Sequence, residues 1–250
     1  MILAQLSDPH VELGPGDAGS AESLAAAVRT VLALRPLPDA VLLSGDLAAV
    51  GADAEYERVR ELLAPLPMPV HVLAGNHDDH ELLRAHFPLP DGGDAGDRGA
   101  RPYRYATEVA GVRLIGCDST IAGRHDGALD VAWLEAQLDG RPTVVAMHHP
   151  PISMGFPALD EIGLAAADAE ALGELLARSP QVLRVVAGHV HRAAFGVLGG
   201  CGVAACPTVH LSPRLDLGAP EYVIVREPPA IAVHVLVGGE VLTHVQPVTG

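Results

Sequence analysis

Short apolar runs rich in β-branched residues recur along the chain: Ile2–Leu6, Ala40–Leu43, Val70–Ala74, Val112–Ile115, Thr143–Met147 and Leu183–Ala187. Their length and their glycine or polar flanks predict buried strands. Between them lie helical patterns. Ser20 precedes AESLAAAVRTVLAL, Asp53 precedes AEYERVRELLAPL, and Asp130 precedes VAWLEAQLDG with Gly140 as a stop. A fourth, AAADAEALGELLARS, ends before Pro180. Strands alternating with helices predict α/β architecture. From Ala194 onward the helical signal vanishes, and YVIVREPPAIAVHVLVGGEVLTHVQPV reads as strands turned at Pro228-Pro229 and Gly238-Gly239. No linker interrupts the pattern, so residues 1–250 are expected to form a single domain whose end, 195–250, is mostly β. The polar, glycine-rich stretch 90–102 reads as a loop or a lid.

Composition changes this picture modestly. The chain has 250 residues, 49% of them hydrophobic and 19% charged, which is a globular composition. No run approaches the roughly 18 to 20 apolar residues of a membrane span, and the first residues lack the basic segment of a leader. Cys117, Cys201 and Cys206 are too few for a disulfide framework and read as small buried hydrophobes. A cytoplasmic location is expected. The net charge is −15 and every one of the 16 basic residues is an arginine. Such a body is unsuited to long nucleic acid, although a bound cation can still draw in a small anion.

Polar clusters follow the predicted strands in turn. SDPH carries Asp8 and His10, SGDL carries Asp46, and GNHD carries Asn76, His77 and Asp78. HHPP carries His148 and His149, and GHVH carries His189 and His191. Each cluster alone would pass for an ordinary turn. Together they place metal-capable groups at the carboxyl ends of five strands, the edge where α/β sheets build their sites. Carboxylate, imidazole and amide oxygen suit first-row metal ions. The candidates are too numerous for one tetrahedral zinc, which predicts a pair of ions with Asp46 as the bridge.

In order and spacing, D-x-H, GD, GNHD, H-x-P and GH-x-H resemble the calcineurin-like metallophosphoesterase superfamily from residue 2 to about 195. GDLAAVGADAEYERVRELL, GNHD and MHHPP are most similar to its bacterial cyclic-nucleotide (class III) and glycerophosphodiester phosphodiesterases. The GD-x-x-D-R-G and GNHE of the protein phosphatases are absent. The resemblance implies a four-layer α/β/β/α sandwich of two mixed sheets between helices. It implies two metal ions, iron, manganese or zinc, and a bridging hydroxide as nucleophile. One ion would sit on Asp8, His10, Asp46 and His191, the other on Asp46, Asn76, His148 and His189. His77 would act on the substrate rather than bind metal, and catalysis would rest on His77 and Asp46. His149, Asp78, Arg192 and His210 would stand behind the ligands or touch substrate, with Arg104 a further phosphate candidate.

The expected activity is therefore hydrolysis of a small phosphodiester, with 3′,5′-cyclic AMP the leading substrate. Alternatives are a glycerophosphodiester or lipid-headgroup phosphodiesterase, a phosphomonoesterase, and a non-enzymatic metal-binding scaffold. Loss of function in such a scaffold should leave gaps in the ligand set, and none is missing here. The expected partners are the small phosphodiester and, as assembly, a homodimer; neither long nucleic acid nor a membrane span is expected. The remaining histidines divide: His71, His86, His234 and His244 fall in regular patterns as structural or surface residues, while His80 and His125 stay open.

Overall fold

The structure, a computed structural model, describes residues 1–14, 17, 19–90 and 101–249. The lid expected over 90–102 falls on 91–100, outside the described residues. Two mixed sheets lie face to face. The first has the order β13-β12-β1-β2-β3, built from β1 (Ile2–Leu6), β2 (Ala40–Leu43), β3 (Val70–Val72), β12 (Ala230–Val237) and β13 (Glu240–Pro247). Its β1, β2 and β3 are parallel, whereas β12 runs antiparallel to β1 and to β13. The second has the order β4-β5-β6-β7-β9-β8, from β4 (Tyr105–Val109), β5 (Val112–Gly116), β6 (Thr143–Ala146), β7 (Val182–Ala187), β8 (Ala194–Leu198) and β9 (Cys201–Ala205). A two-stranded ribbon, β10 (Ser212–Pro213) with β11 (Ile224–Val225), stands beside them.

Strand alternation explains the layering. Leu114, Val144, Ala146 and Val186 pack toward the first sheet, in the core that also holds α1 (Ser20–Ala33) and α2 (Asp53–Leu63). Their neighbours Ile115, Val145, Val185 and Ala187 face α4 (Val131–Gln137) and α6 (Ala166–Ala177). Successive residues on one strand thus serve opposite faces, and the sheets lie between two helical layers. This is the four-layer sandwich expected.

The hairpin β12–β13 turns on Gly238 and Gly239, whose φ of 60° and 90° require glycine-like freedom. Helix starts differ in one detail from the expectation. Asp130 caps α4 as read, accepting from the Trp133 N–H at 3.0 Å. Ser20, however, is the first helical residue of α1, and the capping position is Gly19 with φ 90°. The Ser20 hydroxyl instead meets Asp17 at 2.7 Å and accepts from the Glu12 N–H at 3.0 Å. Unread as individual elements were β4, β8, β9 and β10, the four-residue α5 (Pro157–Asp160), and α3 (His80–His86), capped by Asp79 through the N–H groups of Glu81 and Leu82.

Candidate metal centre

The seven ligand candidates follow the carboxyl ends of β1, β2, β3, β6 and β7; Asp8, His10, Asp46 and His191 form one side-chain group, His148 and His189 form another that also takes in His149, and Asn76 reaches it through His148. The backbone there is strained. Asp8, His10, Asp46, His189 and His191 have φ of 52°, 43°, 50°, 69° and 55°, and Ala110 is the sole other non-glycine with positive φ among the described residues. Each such conformation costs on the order of 1 kcal/mol. Interlocking bonds hold it: Asp8 N–H to Gly45 O at 3.2 Å, His10 N–H to Asp46 O at 3.0 Å, and the Thr208 hydroxyl to Asp8 O at 2.8 Å. Two glycines are required by close approach. A β-carbon on Gly45 would collide with the His148 ring, and one on Gly75 with the Asp46 carboxylate.

The side chains form two groups that meet at Asp46. In the first, His10 Nε2 lies 3.1 Å from His191 Nε2 and 3.5 Å from Asp46 Oδ2, while His191 Nε2 lies 3.6 Å from Asp8 Oδ1. In the second, His148 Nε2 is 3.5 Å from the same Asp46 Oδ2 and 3.2 Å from Asn76 Oδ1. The His189 ring packs 5.0 Å from that of His148.

Their hydrogen bonds show which atoms are left over. His148 Nδ1 faces Ser44 O at 2.8 Å, His191 Nδ1 faces Leu211 O at 2.7 Å, and His189 Nε2 faces Ile162 O at 2.9 Å. A ring nitrogen against a carbonyl must carry the proton, so the other nitrogen presents a lone pair. With Nε2 deprotonated, His148 turns a lone pair toward the carboxylate of Asp46 and the amide oxygen of Asn76, and His191 Nε2 faces Asp8 and, at 3.1 Å, His10. Such a set of buried acceptors calls for a cation among them, a proton or a metal ion. Imidazole, carboxylate and amide oxygen without thiolate are a donor set suited to first-row divalent ions, and backbone-anchored ring nitrogens are how such ligands are oriented. The residues fit a dimetal site.

Electrostatics agree. Burial pushes His10 and His149 down to about 3, and His189 well below its ordinary value, so these rings are neutral. Burial also opposes charge on His148 and Asp46, but their mutual attraction outweighs it. It lifts His148 to about 9 and holds Asp46 well below the carboxylate range. A proton between them stands where a cation belongs.

The remaining candidates sit around this core. His77 lies at the cavity, its N–H donating to Asp46 Oδ1 at 2.9 Å and its Nδ1 to Ala49 O at 2.9 Å; its ring meets His10 edge-on at 4.8 Å. His149 lies beside His189, yet both its nitrogens are engaged, Nδ1 with the Ser119 hydroxyl at 2.9 Å and Nε2 with His125 O at 3.0 Å. Asp78 ties two loops together, accepting from the N–H groups of Leu47, Ala48 and Gly75 and from the Tyr56 hydroxyl. Burial, and then the charge of Asp46, raise its carboxyl to about 7. His210 lines the cavity and meets the Ser23 hydroxyl at 3.1 Å. Arg192 is engaged with Pro213 O at 2.6 Å and Glu227 at 3.0 Å, anchoring the C-terminal segment instead of facing the cavity. Arg104 pairs with Asp130 and covers Trp133.

Sequence reasoning left His125 open and overlooked Tyr56. His125 Nδ1 lies 3.1 Å from Asn76 Nδ2, which turns the amide oxygen toward His148. Neither follows a strand end, so only the tertiary structure places them. The cavity above the centre measures about 530 Å³. Histidines, Asn76 and Asp46 line it together with Leu159, Ile162, Leu211, Pro213, Tyr222 and Ile224.

Comparison with known proteins agrees with this geometry. Residues 1–193 match the Calcineurin-like phosphoesterase family. Glycerophosphodiester phosphodiesterase GpdQ of Enterobacter lignolyticus is 33% identical, over 95% of this chain and 88% of that protein. The 3′,5′-cyclic adenosine monophosphate phosphodiesterase CpdA of Pseudomonas aeruginosa is 32% identical, over 77% of this chain and 70% of that one. Among solved structures, a dimetal phosphatase from Danio rerio superposes with a TM-score of 0.72 at 18% identity, over 99% of this chain and 96% of that one. The chain belongs to the calcineurin-like phosphoesterase family and is a metal-dependent phosphoric ester hydrolase. No helix among the described residues is long and apolar enough to cross a membrane.

Proposed function

We propose that this phosphoesterase works as one domain on a small phosphodiester, with 3′,5′-cyclic AMP as the leading substrate. The observation that carries this reading is the mixed lining of the cavity, which joins His10, Asp46, Asn76, His189 and His191 to apolar side chains and the ring of Tyr222. A flat nucleobase can stack on that ring while its phosphate reaches the ligands. Charge argues for a diester over a monoester. Among the described residues no arginine lines the cavity, whereas Glu12 does. A monoanionic diester tolerates that carboxylate better than a phosphomonoester of charge about −1.5 to −2.

Asp8, His10, Asp46 and His191 would hold one ion, and Asp46, Asn76, His148 and His189 the other. The donor set suits manganese, iron or zinc. Two bound ions supply Lewis acidity toward the phosphoryl oxygens and make water nucleophilic at neutral pH. The chain's own residues do the rest. Asp46 is shared by both groups, Asp78 fixes the loop that carries Asp46, and His77 keeps its Nδ1 on Ala49 so that Nε2 is free for substrate. In its protonated form that ring donates to the departing alkoxide. Cys117, Cys201 and Cys206 are buried and unpaired, in keeping with a cytoplasmic location.

Glycerophosphodiesters are the second reading, favoured by relatives named GpdQ that align with 95% and 94% of the chain. The test is a hydrolysis panel of cyclic AMP, cyclic GMP, a glycerophosphodiester and an aryl monoester, on the wild type and Tyr222→Ala. Stacking is worth roughly 1–3 kcal/mol per base. Tyr222→Ala should therefore lose about tenfold or more in kcat/KM on cyclic AMP and little on the glycerophosphodiester. A wild-type preference for the glycerophosphodiester would overturn the nucleotide reading.

A further inference from the structure

Between the two sheets, where an apolar seam is expected, lies a row of buried polar side chains. Gln5, Ser7, Asp8, Ser44 and His234 are all fully buried. Gln5 Nε2 donates to the Ser44 hydroxyl at 2.8 Å and to Ala187 O, on the facing sheet, at 2.9 Å. Both its N–H groups are thereby used and its amide orientation is fixed, because a flipped amide would set oxygen against carbonyl. Its Oε1 must accept, and His234 Nε2 lies 2.9 Å away. His234 is neutral, since burial pushes it down to about 3, so its single proton is on Nε2. Its Nδ1 then accepts from the Thr243 hydroxyl at 2.9 Å. On the other side, the Ser44 hydroxyl donates to Ser7 Oγ at 2.7 Å, in preference to Leu6 O at 3.3 Å, and the Ser7 hydroxyl donates to Asp8 Oδ2.

Apart from the Gln5 N–H spent on Ala187 O, the donors in this row point the same way, from Thr243 on β13 through His234 on β12, Gln5 on β1 and Ser44 after β2 to Ser7 and the Asp8 carboxylate. Aligned hydrogen bonds polarise one another, and this alignment favours negative charge at the receiving end. Apolar residues would fill the seam at lower desolvation cost, so the row is a departure from ordinary core chemistry that ends at the candidate centre.

We propose that Thr243, His234, Gln5, Ser44 and Ser7 form a one-way hydrogen-bond relay that positions the Asp8 carboxylate for cation binding. The relay rests on the reading of Asp8 as a metal ligand. It engages Oδ2 from one side while the His189 N–H donates to Oδ1 at 3.2 Å and to Oδ2 at 3.1 Å, and the second lone pair of Oδ1, which faces His191 Nε2 at 3.6 Å, is turned to the ion. His234 and Gln5 are positioning residues, for they touch no ligand atom of the centre themselves.

The test is manganese binding to the chelator-stripped full chain, with free Mn²⁺ counted by electron paramagnetic resonance. Ser7→Ala, Gln5→Leu and His234→Leu should each weaken one of the two Mn²⁺ sites, at the lower end of the roughly 10- to 100-fold range for residues behind metal ligands. His234→Gln, which restores an N–H in the Nε2 position, should recover most of the affinity. Because the members act in series, Ser7→Ala with His234→Leu should be no weaker than Ser7→Ala alone. An unchanged dissociation constant in His234→Leu with native circular dichroism, or losses that multiply in the double variant, would overturn the relay. Should His234→Leu not fold, Gln5→Met with Ser7→Ala decides by the same cycle. Full Mn²⁺ stoichiometry in Asp8→Asn would overturn the ligand reading beneath it.

Discussion

His10 Nε2 and His191 Nε2 face each other across 3.1 Å. The Nδ1 atom of His191 is committed to Leu211 O, so its Nε2 brings a lone pair to that gap, and burial keeps His10 neutral. A divalent ion held between the two nitrogens takes the place of the single proton they can share, and it binds the folded chain in preference to the unfolded one. At a hundredfold excess over its dissociation constant, such an ion stabilises by about 2.7 kcal/mol. Thermal unfolding with Mn²⁺ and with a chelator should therefore differ by several degrees. Identical midpoints, with saturation shown independently, would contradict this.

The shared position of Asp46 makes the second prediction. Its Oδ2 lies 3.5 Å from both His10 Nε2 and His148 Nε2, so Asp46→Ala should lose most of both ions and nearly all turnover. The chain should remain folded, since the apolar clusters on either side of the second sheet do not include the ligands. Elemental analysis that finds two ions in the purified variant would sink the bridging assignment.

Neighbouring histidines give the third. His148 turns its Nε2 toward Asp46 and Asn76, whereas both nitrogens of His149 are taken by Ser119 and His125. His148→Ala should weaken one ion by at least tenfold. His149→Ala should leave metal stoichiometry intact and cost about 1–3 kcal/mol of stability through the buried Ser119 hydroxyl it abandons. Metal titration and chemical unfolding of the two variants distinguish the cases, and the reverse pattern would exchange their roles.

The centre was legible because its parts are local: each polar cluster directly follows an apolar strand, and parallel strands in one sheet bring their carboxyl ends together. Left-handed backbone at Asp8, His10, Asp46, His189 and His191 left no such trace, since nothing about those residue types demands it. Asp79 went unread as the cap of α3 because it stands inside the GNHDD cluster, where a ligand reading competes. The seam from Thr243 to Asp8 could not be seen at all. It depends on β12, from the far end of the chain, inserting antiparallel beside β1, and no local pattern encodes that pairing.

That buried seam also sets a pH dependence. An unfolded histidine titrates near 6.5, while burial pushes folded His234 to about 3. The folded-state value is depressed, so the unfolded chain binds the extra proton. The contribution is intact above pH 6.5 and is lost as pH falls toward 3, amounting to about 2 kcal/mol at pH 5. Urea titrations of chelator-stripped His234→Gln should therefore lose about 2 kcal/mol less than the wild type between pH 7 and pH 5. Parallel stability curves would show that His234 does not resist protonation.

His77 separates chemistry from metal binding. Its ring lines the cavity, but the Nδ1 atom is held by Ala49 O and only its backbone N–H touches Asp46. A ligand would need its own lone pair aimed at the centre; His77 instead meets His10 edge-on. The alkoxide that leaves a ribose or glycerol ester is a strong base, and a positioned acid that protonates it contributes roughly 10² to 10⁴ in rate. His77→Ala should accordingly keep both ions and lose turnover in that range on cyclic AMP or a glycerophosphodiester. On a bis-aryl ester, whose phenolate departs unaided, the loss should be much smaller. Equal losses on the two ester types would leave His77 with only a charge-stabilising role on the phosphoryl oxygens. Loss of metal along with turnover would make it a ligand, against its hydrogen bonding in the structure.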